Sequence, residues 1–521
     1  MEECFCFVLN EHRVQVNKRK LWNKSRYFAS LFSHNFNDSD NKEHVINYDI
    51  ALCTLQNFVD WIHDENCSEM LCHFIKTSLA KFMRDNFVEL LNILELSVLF
   101  MVDELTNDAT DILVLRWLLP ERIIDVWLLA QELSLKTLED VCLSVCLDRF
   151  EELPVASIVD LSKDNVVRLI GNVNVRSSIE HLNFIRNEWI KFHQSSDSIM
   201  NIKEERQPKF VQGTIVYKAH EHAGRIAYLY TWDGRALTEC AQVKDVHFSR
   251  KCLIGAQIAS RGFSVYMVGG EMGLGTGQFN DIIWRYCLLS KRWYYQAKLP
   301  IQRRHMVVVF LKNKLIVVGG VGRHRLKLCT VDILNIHTGS WEKGANVPES
   351  FTDVPPHCVL NGKLFLLKSF VYIYCVERND WQTVIISNGP VVQKVDAFLT
   401  RGTTLFSTGE SWESEGNRLG GTIVSRLSVV KDSVCEKKEC SKQDAEHGTL
   451  IDTSIVFKSD WYHLRYVHVD DIGIMILNVR RDEEYRYLHL HREIKKDFEN
   501  LLIPKLVCFN FMSPDTLHDL A

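Results

Sequence analysis

Up to about residue 193, the apolar positions of the chain fall mostly at helical spacing. In IIDVWLLAQEL, Val126, Leu129, Ala130 and Leu133 stand at i, i+3, i+4 and i+7, which puts them on one face of a helix. Leu138, Val141, Cys142 and Val145 repeat that interval, and Leu182, Ile185, Trp189 and Phe192 form another stripe. Ser162, ahead of KDNVVRLI, fits an N-cap, because its hydroxyl can accept from an orphan amide of the first turn. The first residues differ: FCFVLNEHRVQVN predicts a hairpin of short strands. The stretch HQSSDSIMNIKEERQPKF is polar and aperiodic and reads as a linker. Beyond it, short strand-like runs separated by turn residues continue to about residue 490.

Within those runs one arrangement recurs. VYMVGG, from Val265 to Gly270, is followed by Trp293, and LIVVGG, from Leu315 to Gly320, by Trp341. Each apolar run is too short for a helix and apolar on both faces, which suits a strand sandwiched between neighbouring sheets. Terminal glycines fit places where backbone passes without side chains, and the tryptophan supplies a wedge between sheets. HCVLNGKLFLLKSF, from His357, resembles HMVVVFLKNKLIVVGG, from His305, but has Lys368 and Ser369 in place of the glycines. Tyr286 precedes Trp293 by seven residues, as Tyr374 precedes Trp381, while Leu334 holds that place before Trp341. Fainter units occupy GTIVYKAHEHAGRIAYLYTWDG, DAFLTRGTTLFSTGESW and TSIVFKSDWYHLRYV. Recurrence at this scale implies a propeller or solenoid, whose units cannot bury their faces alone. At a period of roughly 50 residues, 211–490 holds about six blades.

Composition narrows the function more than the fold. A chain of 521 residues exceeds what one core usually serves. A net charge of −5, from 61 basic and 66 acidic residues, gives no case for nucleic acid or an anionic membrane as partner. The start MEECFCFVLNEHRVQVNKRK lacks the pattern of a signal peptide, and LLNILELSVLFMV is too short to cross a bilayer. A cytoplasmic protein is expected. Its 16 cysteines, Cys142 and Cys146 among them, read as reduced core thiols and not as disulfides or a metal site. GLGTG, at Gly273 to Gly277, leads into QFNDIIW, a strand and not the helix a dinucleotide site needs. No catalytic, cofactor or metal constellation emerges, and no enzyme is expected.

The second half resembles a kelch β-propeller. The first half resembles a BTB domain followed by a BACK domain. The BTB likeness lies in VNKRKLWNKSRYFASLFSHNF, with Ser25, Tyr27, Phe28 and Phe32 in the S-x-YF-x-x-x-F pattern, and in NFVELLNILELSVLFMVDEL. The BACK likeness lies in LLPERIIDVWLLAQELSLKTLEDVCLSVCLDRFEEL and VDLSKDNVVRLIGNVNVRSS through NEWIKF. The resemblance implies an α/β BTB domain over 1–120, an all-α BACK domain over 121–193 and a linker over 194–210. An all-β propeller over 211–490 and a C-terminal segment over 491–521 complete that division. Two departures stand out: Asn17 and Lys18 where the family carries a histidine, and an insertion around CSEMLCHFIKTSLAKFMR.

Such proteins are cullin-3 adaptors: the BTB domain forms a homodimer and binds the scaffold, and the propeller holds a protein substrate. The family's apolar-x-Glu contact aligns with Phe36-Asn37-Asp38, so Phe36 and Asp38 are the expected cullin-binding residues. The same residues also suit a plain turn, with Phe36 packing locally and Asp38 opening NDSDN. An actin-associated scaffold, crosslinking through the BTB dimer, is the alternative reading. A third is an adaptor that dimerises without its cullin contact. On the propeller, Arg303 and Arg304 enter one blade, and Arg323, His324 and Arg325 lie in the loop after its glycine pair. Both connections belong to one face, so these five residues are expected to bind an acidic substrate segment. A solvated rim is the simpler reading for any one of them.

Overall fold

The computed structural model describes residues 4–33, 42–63, 86–194, 202, 253–273, 275–384 and 508–520. Between 210 and 242, and between 386 and 489, it describes strand segments mainly as backbone. The chain divides into two compact units: Met1–Gln207 with Asp515–Ala521, and Pro208–Pro514.

In the first unit, Cys4–Leu9 and His12–Asn17 form the expected antiparallel hairpin, and Glu43–Ile46 adds in parallel to Cys4–Leu9. Period-two alternation turns Phe5, Phe7 and Leu9 inward, where all three are buried. The Phe7 ring meets Phe28 and Phe100 at centroid distances of 5.4 and 5.9 Å. Ser25 fixes the approach of the helix Arg26–Leu31 to this cluster. Its hydroxyl accepts from the Phe28 amide at 3.1 Å and donates to the Phe100 carbonyl at 2.6 Å. The S-x-YF-x-x-x-F pattern is thus a helix cap followed by two rings, Phe28 and Phe32, that enter the core.

Helices Ile123–Glu132, Lys136–Asp148, Lys163–Ile170 and Ile179–Phe192 follow, the third after its expected N-cap and the others on stretches whose periodicity predicts them. Ser162 caps Lys163–Ile170 as expected. The last apolar stripe ends early: Leu182, Ile185 and Trp189 are buried, but Phe192 is 60% exposed. Cys142 and Cys146 are buried free thiols, and burial raises both pKa values, as suits inert core residues. The insertion around CSEMLCHFIKTSLAKFMR and most of the expected linker lie outside the described residues. Among the described residues, no helix is long and apolar enough to cross a membrane.

The second unit is built mainly from antiparallel sheets of the form expected for kelch blades. Three four-stranded sheets follow the clearest sequence units. They comprise Gln257–Arg261, Ser264–Val268, Ile282–Cys287 and Arg292–Lys298; then Val307–Leu311, Lys314–Val318, Val331–Asn335 and Trp341–Gly344; then His357–Leu360, Lys363–Leu367, Val371–Cys375 and Asp380–Val384. Further sheets begin at Lys394–Arg401 and Thr453–Phe457, over two of the faint units. The third faint unit supplies Phe210–His220 and Gly224–Trp232, which share a sheet with Leu237–Gln242 and Cys508–Met512. Strands therefore extend past residue 490, and the end of the unit pairs with its beginning. Leading strands touch in cyclic order: Gln257–Arg261, Val307–Leu311, His357–Leu360, Lys394–Arg401, Thr453–Phe457, Cys508–Met512, and back to Gln257–Arg261.

The repeated residues have distinct physical parts. Tyr286 lies directly opposite Trp293 across two adjacent strands, Leu334 opposite Trp341, and Tyr374 opposite Trp381. The two Tyr–Trp pairs have centroid separations of 5.0 and 4.9 Å. Trp293 packs in a cluster with Leu229 of the preceding sheet, as a wedge requires. The Trp381 indole donates to the Ala345 carbonyl at 2.8 Å, fastening its sheet to the one before. Gly320 has φ +91, and a Cβ there would lie 2.7 Å from the Arg304 carbonyl. Lys368 and Ser369 need no such freedom, because Leu367 and Val371 are joined by a tight turn. Glu349 holds that turn, accepting from the Ser369 amide at 3.1 Å.

Candidate protein-interaction face

Strand direction alternates, so the chain enters the sheet at Val307, leaves at Val318 and re-enters at Val331 along one edge. Two connections meet there: the link before Val307 and the loop after Val318. Arg304 and Val321 exchange backbone hydrogen bonds of 2.9 and 2.8 Å, joining link to loop. Within the loop, the Leu328 amide donates to Gly320 and the Gly322 amide to Leu326, both at 2.9 Å. The loop is therefore a narrow, hydrogen-bonded projection whose tip is residues 323–327.

At that tip His324 and Arg325 have φ of 55° and 59°, the left-handed region that non-glycine residues seldom enter. Arg323, His324, Arg325, Leu326 and Lys327 are all exposed, and Leu326 is 63% so. Arg323 is steadied by Gln302 of the entering link, its Nε donating to Oε1 at 2.9 Å. The tip combines positive charge with one bare apolar side chain, which suits a partner carrying carboxylates beside an apolar residue.

Arg303 and Arg304 are not part of that exposed surface, and here the expectation of five partner-facing basic residues is corrected. Arg303 is 0% exposed and forms an ion pair with Asp332, itself 1% exposed, which also pairs with Lys343. Its remaining donors reach the carbonyls of Ile301 at 3.2 Å, Gly319 at 3.2 Å and Thr330 at 3.4 Å. Gly319 and Thr330 are the two ends of the projecting loop, so Arg303 clips its base. Burial lowers the Arg303 pKa, opposed by Asp332. Arg304 lies mostly buried, 3.3 Å from Glu271, whose other oxygen accepts from Gly277 at 2.8 Å. Both arginines hold the scaffold, while Arg323, His324 and Arg325 remain presented.

Sequence reasoning missed Lys327 and Leu326 at the tip, and the acids that retain Arg303 and Arg304. A signal for Asp332 exists in TVDILN: a carboxylate amid a buried strand needs a cation close by. Phe36 and Asp38, the expected cullin contacts, lie outside the described residues.

Comparison with known proteins finds one match within each unit. A BTB/POZ domain family model matches residues 3–114, and a Kelch motif model matches residues 302–348, the blade that carries the projecting loop. No curated protein matches the chain. Both are models of protein-interaction domains, and the order of the two matches is consistent with a BTB–kelch protein.

Proposed function

We propose that the protein is the substrate-recognition adaptor of a cullin-3 ubiquitin ligase, working in the cytoplasm. The BTB domain forms a two-fold homodimer and meets the cullin, with Phe36 and Asp38 at the contact. The helices over 121–193 form a BACK domain. The sheets form a six-bladed propeller, a count supported by the cyclic contacts of the leading strands. An acidic substrate segment lies against Arg323, His324 and Arg325. The mechanism is proximity: holding the substrate near the ligase raises the effective concentration of ubiquitin donor at its lysines.

The observation that carries this reading is the pairing, in one chain, of a BTB/POZ match with a Kelch blade whose loop presents exposed basic side chains. Purified cullin-3 should bind the full chain. Phe36→Ala should weaken that binding at least tenfold with an unchanged melting temperature, whereas Asp38→Glu should tighten it. A wild-type chain that fails to bind cullin-3 overturns the proposal.

A further inference from the structure

The segment GNVNV, just after the helix Lys163–Ile170, buries two asparagines: Asn172 is 1% exposed and Asn174 2%. A buried amide without partners is strongly disfavoured, so where these groups bond identifies what the surface is shaped to hold. Asn172 Oδ1 accepts from the Asn174 amide at 2.9 Å, a local bond that leaves the side-chain NH2 groups of both residues to find acceptors elsewhere. Those groups are met by residues far along the chain. Asn172 Nδ2 donates to the Leu517 carbonyl at 2.7 Å, and Asn174 Nδ2 to the Thr516 carbonyl at 2.8 Å. The Val173 amide donates to the Asp519 carbonyl at 3.1 Å.

Side chains complete the recognition. Leu517 is 1% exposed and Thr516 2%, while His518 Nε2 stands 3.1 Å from Asp140 on the helix Lys136–Asp148. The segment is also shaped for its place: Pro514–Thr516 forms a single 3-10 turn, and the Asp519 amide returns to the Thr516 carbonyl at 3.1 Å. Two side-chain amides and one backbone amide that read peptide carbonyls, beside a leucine side chain buried from water, are the parts of a peptide-binding site. None of them belongs to the basic projection of the Kelch blade or to the pair Phe36 and Asp38, so this site is independent of the proposed function.

We propose that the helical unit contains a peptide socket, formed by Asn172, Val173, Asn174 and Asp140, whose ligand is this chain's own segment 515–520. Without that segment, the Asn172 and Asn174 side chains and the Val173 amide lose their acceptors. The native helical unit therefore requires residues that come after the strand Cys508–Met512 by only Ser513 and Pro514. A free peptide of the same chemistry, a turn followed by Thr-Leu-His-Asp, competes for the socket.

Hydrogen exchange on the full chain tests this directly. The Val173 amide should be protected in the wild type. It should exchange at least tenfold faster in a chain ending at Pro514, and in the full-length Leu517→Asp variant. Leu517→Met should keep the protection. A synthetic peptide of residues 513–521 should restore slow exchange to the shortened chain in a saturable manner, and should fail to do so when Asn172→Ala and Asn174→Ala are also present. Unchanged protection in both the shortened chain and Leu517→Asp overturns the proposal, as does a folded shortened chain that the peptide does not protect.

Discussion

Arg303 and Arg323 stand at the base and the tip of one loop, and their surroundings give them opposite sensitivities. Arg303 is fully buried against Asp332, so Arg303→Ala leaves a carboxylate in the blade with Lys343 as its remaining ionic partner. Breaking a buried pair from one side costs about 3–5 kcal/mol, most of it from the stranded charge. Urea unfolding should show that loss, and Arg303→Met combined with Asp332→Leu should recover much of it. Arg323→Glu with Arg325→Glu should move stability by no more than ~0.5 kcal/mol, because both side chains are exposed. The same double change should abolish salt-sensitive capture of the partner through like-charge repulsion. An unchanged set of captured partners, with both proteins folded, would make the tip a solvated rim. His357 adds a pH dependence of its own. Burial lowers its pKa, opposed by the Pro355 carbonyl 2.9 Å from Nδ1. The unfolded chain therefore takes up the proton first as pH falls. The His357 contribution is complete above about pH 6.5 and is lost as pH drops toward the folded value. His357→Gln should show a shallower fall in melting temperature between about pH 7 and 5 than the wild type.

At the scale of single elements, the glycine pairs show most plainly why some strands end as they do. Gly320 combines a positive φ with a neighbouring backbone carbonyl that cannot retreat, since Arg304 is itself hydrogen-bonded to Val321. Gly320→Ala should therefore cost at least about 1–3 kcal/mol, with local strain at the base of the loop. Gly339→Ala makes the control: φ is +70 there but open space surrounds the Cβ position, so only the conformational part, roughly 1 kcal/mol, remains. Chemical denaturation of the two variants would expose a wrong account if their losses were equal. Much of this level was legible in the sequence. A seven-residue interval across a hairpin places Tyr286 opposite Trp293 and Tyr374 opposite Trp381, and that relation is local in the chain. The burial of Arg303 was not legible, because it depends on Asp332, which lies 29 residues away and across the sheet. Nor did CFNFM announce itself as a strand, since it carries no glycine pair and no tryptophan of the repeat.

For the whole molecule, that unannounced strand matters most. Cys508–Met512 pairs with Phe210–His220, so the β-sheet unit closes by joining its last strand to its first. After only Ser513 and Pro514, the chain re-enters the helical unit at Asp515. Two shortened chains separate these uses of adjacent sequence. Ending the chain at Pro514 removes the socket ligand but keeps the closing strand. Ending it at Val507 also removes the strand, baring the edge of Phe210–His220 and breaking the cyclic contacts at Gln257–Arg261 and Thr453–Phe457. An open ring loses the mutual support that makes every blade unfold together, because each sheet buries its faces only against its neighbours. The chain ending at Val507 should therefore show a lower and broader unfolding transition of the β-sheet unit, and a bare strand edge prone to association. The chain ending at Pro514 should keep a single sharp transition for that unit while its helical unit loosens. If both chains gave the same sharp β-sheet transition as the wild type, the closing strand would contribute nothing to the ring.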